Sequence, residues 1–225
     1  MDSTGVTEYL PGPYLSRLGQ QRVVVTRPGN DDVGKILTSM NVEFVPFQGT
    51  YECTLLFINC GTPDQIDPLE LAEFVRGGGC LYASDHADSL ISQAFPGVFD
   101  FGGHSGAAGQ VTAEVIDPEL REVLGQQIHV SFDMPVWAVL QGGKDTALLV
   151  AANGSQQAGS PLMAYAEYGQ GSIFFTCFHN NAQISAHEKK LLQLLVVKQF
   201  SAKSKQSFEQ TGKSLGLILN EMRSD

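Results

Sequence analysis

Short apolar runs, each closed by a turn or a polar stop, alternate with helical periodicity through the first half of this chain. Val23-Val24-Val25 is a β-branched run of the kind found in strands buried on both faces. Asn30 or Asp31 is placed to cap a helix carrying Val33, Ile36, Leu37 and Met40. Val42 to Phe47 reads as a second strand, and Leu55-Leu56-Phe57-Ile58-Asn59, closed by Cys60-Gly61, as a third. Asp67-Pro68 opens a helix through Leu69, Leu71, Ala72, Phe74 and Val75, with proline at its first position. The triplet Gly77-Gly78-Gly79 ends it, and Cys80 to Ala83 is the fourth strand. Strand and helix in repetition predict a parallel, doubly wound sheet.

The pattern changes after about residue 110. Val111 to Ile116, Ile128 to Phe132, Val136 to Leu140, Ala147 to Ala151 and Pro161 to Tyr165 are strand candidates with few helical segments between them. That spacing predicts an antiparallel extension of the sheet. Ile173 to Phe178 returns to the buried-strand pattern, and a long helix follows through Leu191, Leu192, Leu194, Leu195 and Val196. The expected class is α/β: a flavodoxin-like, doubly wound, mostly parallel sheet with an antiparallel β extension in the second half. The chain divides into an N-terminal arm (1–20), an α/β domain (21–200) and an amphipathic helical tail (201–225). In the tail Phe208, Leu215, Ile218, Leu219 and Met222 form one apolar face, which either packs on the domain or receives a partner.

Composition narrows the classes. With 225 residues the chain is long enough to bury a core. A net charge of −10 argues against a nucleic-acid backbone as partner, which needs a basic surface. No stretch has the length of a membrane span. The first eight residues have neither a basic n-region nor an apolar h-region, so a cytoplasmic location is expected. The four cysteines, Cys53, Cys60, Cys80 and Cys177, form no CxxC pair and read as reduced thiols.

Two apolar runs stop at chemistry. One ends at Ser84-Asp85-His86, the other at His179-Asn180-Asn181. Ligands of open α/β sheets sit beyond the carboxyl ends of the strands, so these two stops mark the candidate site. Ser84 or Asp85 stands either as a nucleophile on a tight strand-to-helix turn or as a helix cap. His179 is either a general base or a buried histidine bonded to backbone, with Asn180 or Asn181 to orient its ring. Cys60 is a semi-buried thiol that is reactive or inert, and Gly61 either offers an oxyanion amide or permits a turn. The glycine-dense run from Phe101 to Gly109 reads as a mobile loop able to bring His104 over the site. Asp85, His86, His104 and His179 have the donor types that zinc or iron takes, but no HxH or HExxH spacing supports them, so neither metal nor cofactor is expected.

These segments resemble the class I glutamine amidotransferase-like superfamily, and within it the ThuA-like (trehalose utilisation) branch. The similarity covers about residues 21 to 200. Gly78-Gly79-Cys80-Leu81-Tyr82-Ala83-Ser84 is similar to the strand that leads to the family's nucleophile elbow. Gly171 to His179 is similar to the late strand that ends in its histidine, and Leu55 to Gly61 to the strand that supplies an oxyanion amide. The chain departs from the family at both ends of the triad. Active glutaminases carry cysteine at the elbow, where this chain offers Ser84 or Asp85, and Cys80 lies too early. They carry His-Pro-Glu where this chain has His179-Asn180-Asn181. With both ends of the triad changed, a non-glutaminase is expected, binding a small molecule or a protein partner near Cys60, Gly61, Ser84, Asp85, His86, His104, His179, Asn180 and Asn181; the acidic surface and the amphipathic tail fit assembly through the tail or as a homo-oligomer. The alternative is a hydrolase in which Ser84 or an activated water attacks and His179 is the base.

Overall fold

A computed structural model describes residues 22–142, 146–219 and 222. The predicted N-terminal arm lies outside them. In chain order the strands are β1 (Val23–Val25), β2 (Val45–Pro46), β3 (Leu55–Ile58), β4 (Cys80–Ser84), β5 (Phe101–Ser105), β6 (Gly109–Val115), β7 (Gln127–Phe132), β8 (Trp137–Leu140), β9 (Ala147–Ala151), β10 (Pro161–Tyr168) and β11 (Gly171–Thr176). The helices are α1 (Gly34–Ser39), α2 (Pro68–Arg76), α3 (Asp88–Ala94), α4 (Pro118–Leu124), α5 (Ala186–Ser204) and α6 (Phe208–Ser214). Single 3-10 turns at Asp85–Ala87 and Asn180–Ala182 follow β4 and precede α5.

Among the described residues, nine strands form one sheet in the order β2-β1-β3-β4-β11-β10-β9-β6-β7. Pairing is parallel from β2 to β11 and antiparallel from β11 to β7. The first five strands have the flavodoxin-like order, and the rest are the antiparallel extension. β1 and β3 are apolar throughout, the pattern of strands covered on both faces; β3 and β4 are buried at every position. The start of β11 depends on glycine: a Cβ at Gly171 would lie 2.2 Å from the carbonyl oxygens of Gly79 and Val75.

Local signals set the helix ends. Asp67 caps α2 by accepting from Leu69 and Glu70 N–H, with Pro68 behind it. Asp117-Pro118 repeats the device at α4, a helix the sequence reading passed over. Ser185 and Glu188 form a capping box on α5. The expected cap at Asn30 or Asp31 does not form. Helix α1 starts behind Val33, whose N–H is taken by the Asn59 side chain, and Asp31 turns into the interior.

One further expectation changes, and the tail follows one of its two alternatives. The glycine-dense run begins as a strand and not a loop: β5 pairs antiparallel with β8 in a separate two-stranded sheet, His104 opposite Ala138. The tail folds back, with α6 packed on α5 and Phe208 and Leu219 buried in the core. Much of its apolar face is therefore covered by its own domain.

Candidate functional site

The carboxyl ends of β3, β4 and β11 are adjacent in the sheet, and each delivers one side chain to a common point. From β4 comes Asp85, at the start of the turn and with φ +43°. A non-glycine residue at positive φ is held there against its preference, as a nucleophile elbow holds its residue. Asp85, and not Ser84, is thus the elbow residue. Its carboxylate is 2% exposed. Oδ1 accepts from the Ala138 N–H at 2.7 Å. Oδ2 lies 3.1 Å from His179 Nε2 and 3.6 Å from His86 Nε2. Cys60, at the end of β3, brings its Sγ to 4.0 Å from the same oxygen.

His179 bridges two carboxylates. Its Nδ1 is hydrogen-bonded to Asp133 Oδ1 at 2.8 Å. The Nε2–Asp85 contact is a close ion pair set off the hydrogen-bond direction. Burial alone would lower the pKa of this ring. Asp85, Cys60 and Asp133 outweigh that effect and push it up to about 11. The ring is therefore an imidazolium at neutral pH. Asp133 was not foreseen: β7 alternates polar and apolar residues, so no apolar run leads to the carboxylate that follows it, just before Met134-Pro135.

Ser84 has a different task. Its hydroxyl donates to Asp31 Oδ2 at 2.9 Å and accepts from the Cys60 N–H at 3.1 Å. Neither Ser84 nor Asp85 caps the turn or helix that follows. Asn180 and Asn181 do not orient the His179 ring either. The 3-10 turn carries both to Asp31: Asn180 Nδ2 donates to Asp31 Oδ2 at 2.7 Å, and the Asn181 N–H to Oδ1 at 3.2 Å. Asp32 N–H adds a fourth donor to Asp31 at 2.8 Å. Asn180 Nδ2 also donates to Tyr82 Oη, which bonds Thr176 Oγ1. Asp31, fully buried, is the hub that ties the ends of β1, β4 and β11 together.

The remaining predicted residues lie around this core. Gly61 turns the chain at φ +67°, with its carbonyl against Gly29. His86 and His104 meet edge to face with ring centroids 4.5 Å apart, and their side chains are 25% and 42% exposed. They form the accessible rim beside the enclosed Asp85–His179 pair. No described helix is long and apolar enough to cross a membrane.

No protein-family model matches the sequence, and neither does any curated protein. Solved structures do match. A β-galactosidase from Bacillus circulans sp. alkalophilus is similar over 83% of this chain, at 9% identity and a TM-score of 0.58. The present chain spans about a third of that protein, 31% of its length. A ThuA-like protein from Bacteroides uniformis is similar over 91% of this chain and 98% of its own, at 11% identity and a TM-score of 0.56. PurLQS from Thermotoga maritima is similar over 90% and 99%, at 11% identity and a TM-score of 0.51. The chain has the ThuA-like, class I glutamine amidotransferase-like fold.

Proposed function

We propose that this domain is a non-glutaminase that binds a small molecule or a protein partner at the carboxyl edge of β3, β4 and β11. One observation carries the reading: the elbow holds a carboxylate, Asp85, clamped between the Ala138 amide and a buried imidazolium. Amide hydrolysis by this type of site needs a thiol at the elbow, beside the histidine that activates it. Here the thiol of Cys60 stands on the neighbouring strand end, fully enclosed. His179 Nε2 faces the Asp85 carboxylate at 3.1 Å, and not a thiol at the elbow. The similarity to part of a β-galactosidase agrees with a fold that serves in proteins other than glutaminases. Ligand contact falls to the accessible rim of His86 and His104, with Asn181 and Lys35 joined on the other side.

The first test is ammonia release from glutamine by the purified protein. The expected result is none above the uncatalysed background, unchanged in Cys60→Ser. Turnover that Cys60→Ser or His179→Ala abolishes would overturn the reading.

A hydrolase is favoured by one feature, the positive φ of the elbow residue. In that form Asp85 would attack as a carboxylate nucleophile, since the Ser84 hydroxyl is engaged by Asp31. An activated ester separates the two readings. Turnover lost in Asp85→Asn and kept in Ser84→Ala supports the hydrolase, and an inert wild-type protein supports the binding domain.

A further inference from the structure

We propose that His86, Asp88 and His104 form a binding site for a divalent transition-metal ion of the zinc type. His86 comes from the turn after β4, Asp88 opens α3, and His104 reaches across from β5. His86 and Asp88 are two positions apart, and His104 lies 16 positions beyond Asp88. One donor atom from each lies within 4.8 Å of the others. His104 Nε2 is 3.0 Å from Asp88 Oδ2. Donors bonded to one ion at about 2.0–2.2 Å stand roughly 3–4 Å apart, so small side-chain rotations close this set around an ion.

The second observation is Asp88 itself. Its residue is 9% exposed, and its Oδ1 is buried with no hydrogen-bond partner. A buried carboxylate oxygen with nothing to receive is costly unless a cation or a donor meets it. His104 answers only the other oxygen. An ion held by Asp88 and the two imidazoles would meet the carboxylate oxygen that the described residues leave without a partner.

A competing set, Cys60, Asp85 and His179, also places its donors within 4.8 Å. It carries less weight for two reasons. Its carboxylate is already paired with an imidazolium, and all three residues are at most 2% exposed, which leaves no entry path. The His86–Asp88–His104 set opens to solvent through His104. Two imidazoles and one carboxylate suit zinc or ferrous iron, with coordination positions left for water or an oxygen-donor ligand. This site stands whether the neighbouring elbow binds or hydrolyses.

The test uses the whole chain, freed of metal by chelator dialysis and titrated with zinc against a chromophoric chelator. Cobalt is substituted in parallel for its visible spectrum. The expected result is one ion per chain and a cobalt spectrum without a thiolate charge-transfer band. His104→Ala and Asp88→Asn should each weaken zinc by more than the roughly 100-fold that loss of an outer-shell partner costs. His104→Ala, at a partly exposed position, keeps the test valid if Asp88→Asn impairs folding, and circular dichroism checks both. Three results would overturn the proposal: no stoichiometric binding, affinity unchanged in His104→Ala, or a thiolate band that Cys60→Ser removes and that moves the ion to the buried set.

Discussion

Asp31→Ala is expected to lower folding stability by about 3–5 kcal/mol, among the largest effects of any single substitution in this chain. Four donors converge on the Asp31 carboxylate: the Ser84 hydroxyl, Asn180 Nδ2 and the N–H groups of Asp32 and Asn181. Each buried donor left without an acceptor costs about 1–3 kcal/mol, reduced where water enters the gap. Asp31→Asn keeps the shape and one acceptor oxygen. Its amide nitrogen would face donors, so a smaller loss of roughly 1–3 kcal/mol is expected. Urea denaturation of both variants measures the difference. A loss below about 1 kcal/mol in Asp31→Ala would show that the hub does not hold the strand ends together.

His179→Ala should cost a comparable amount, about 3–5 kcal/mol, because it leaves the Asp85 charge enclosed without its counter-ion. Asp85→Asn should cost less, since His179 keeps Asp133, whose side chain is 47% exposed and hydrated. The double variant should be more stable than the sum of the two single losses predicts, the sign of a coupled pair. The pH dependence has a fixed direction. His179 binds its proton more tightly folded than unfolded, with the folded value pushed up to about 11 from 6.5. Its contribution is therefore complete below pH 6.5 and falls as pH rises toward 11. A His179→Ala protein should show a flatter stability curve over that window.

The parallel strands were legible because buried strands of this kind write themselves as unbroken apolar runs, whereas Val136 to Leu140, expected in the antiparallel extension, pairs with β5 in a separate sheet. The two polar stops that end at Ser84-Asp85-His86 and at His179 meet at one edge of the sheet, since β4 and β11 are parallel neighbours. What those runs could not convey was which residue of a stop turns inward. Ser84 and Asp85 are neighbours, and the choice between them rests on one backbone dihedral, the +43° of Asp85. Asp31 looked like a helix cap because capping and buried-hub roles use the same residue type. Asp133 follows a strand that alternates polar and apolar residues, so no apolar run marked its carboxylate as a stop. The Asp117-Pro118 start of α4 was readable, since it copies Asp67-Pro68. The partnership of Asp88 with His104 was not legible at all. It depends on β5, a glycine-dense strand without apolar alternation that forms only because β8 is there to pair with it.

Side-chain nitrogen NMR of His179, assigned through His179→Gln, reads the charge state of this ring directly. The prediction is a doubly protonated imidazolium at about pH 8, titrating only near 11. A neutral ring at that pH, with a midpoint near the ordinary 6.5, would give the site a working base and would contradict the reading of the elbow as a closed ion pair.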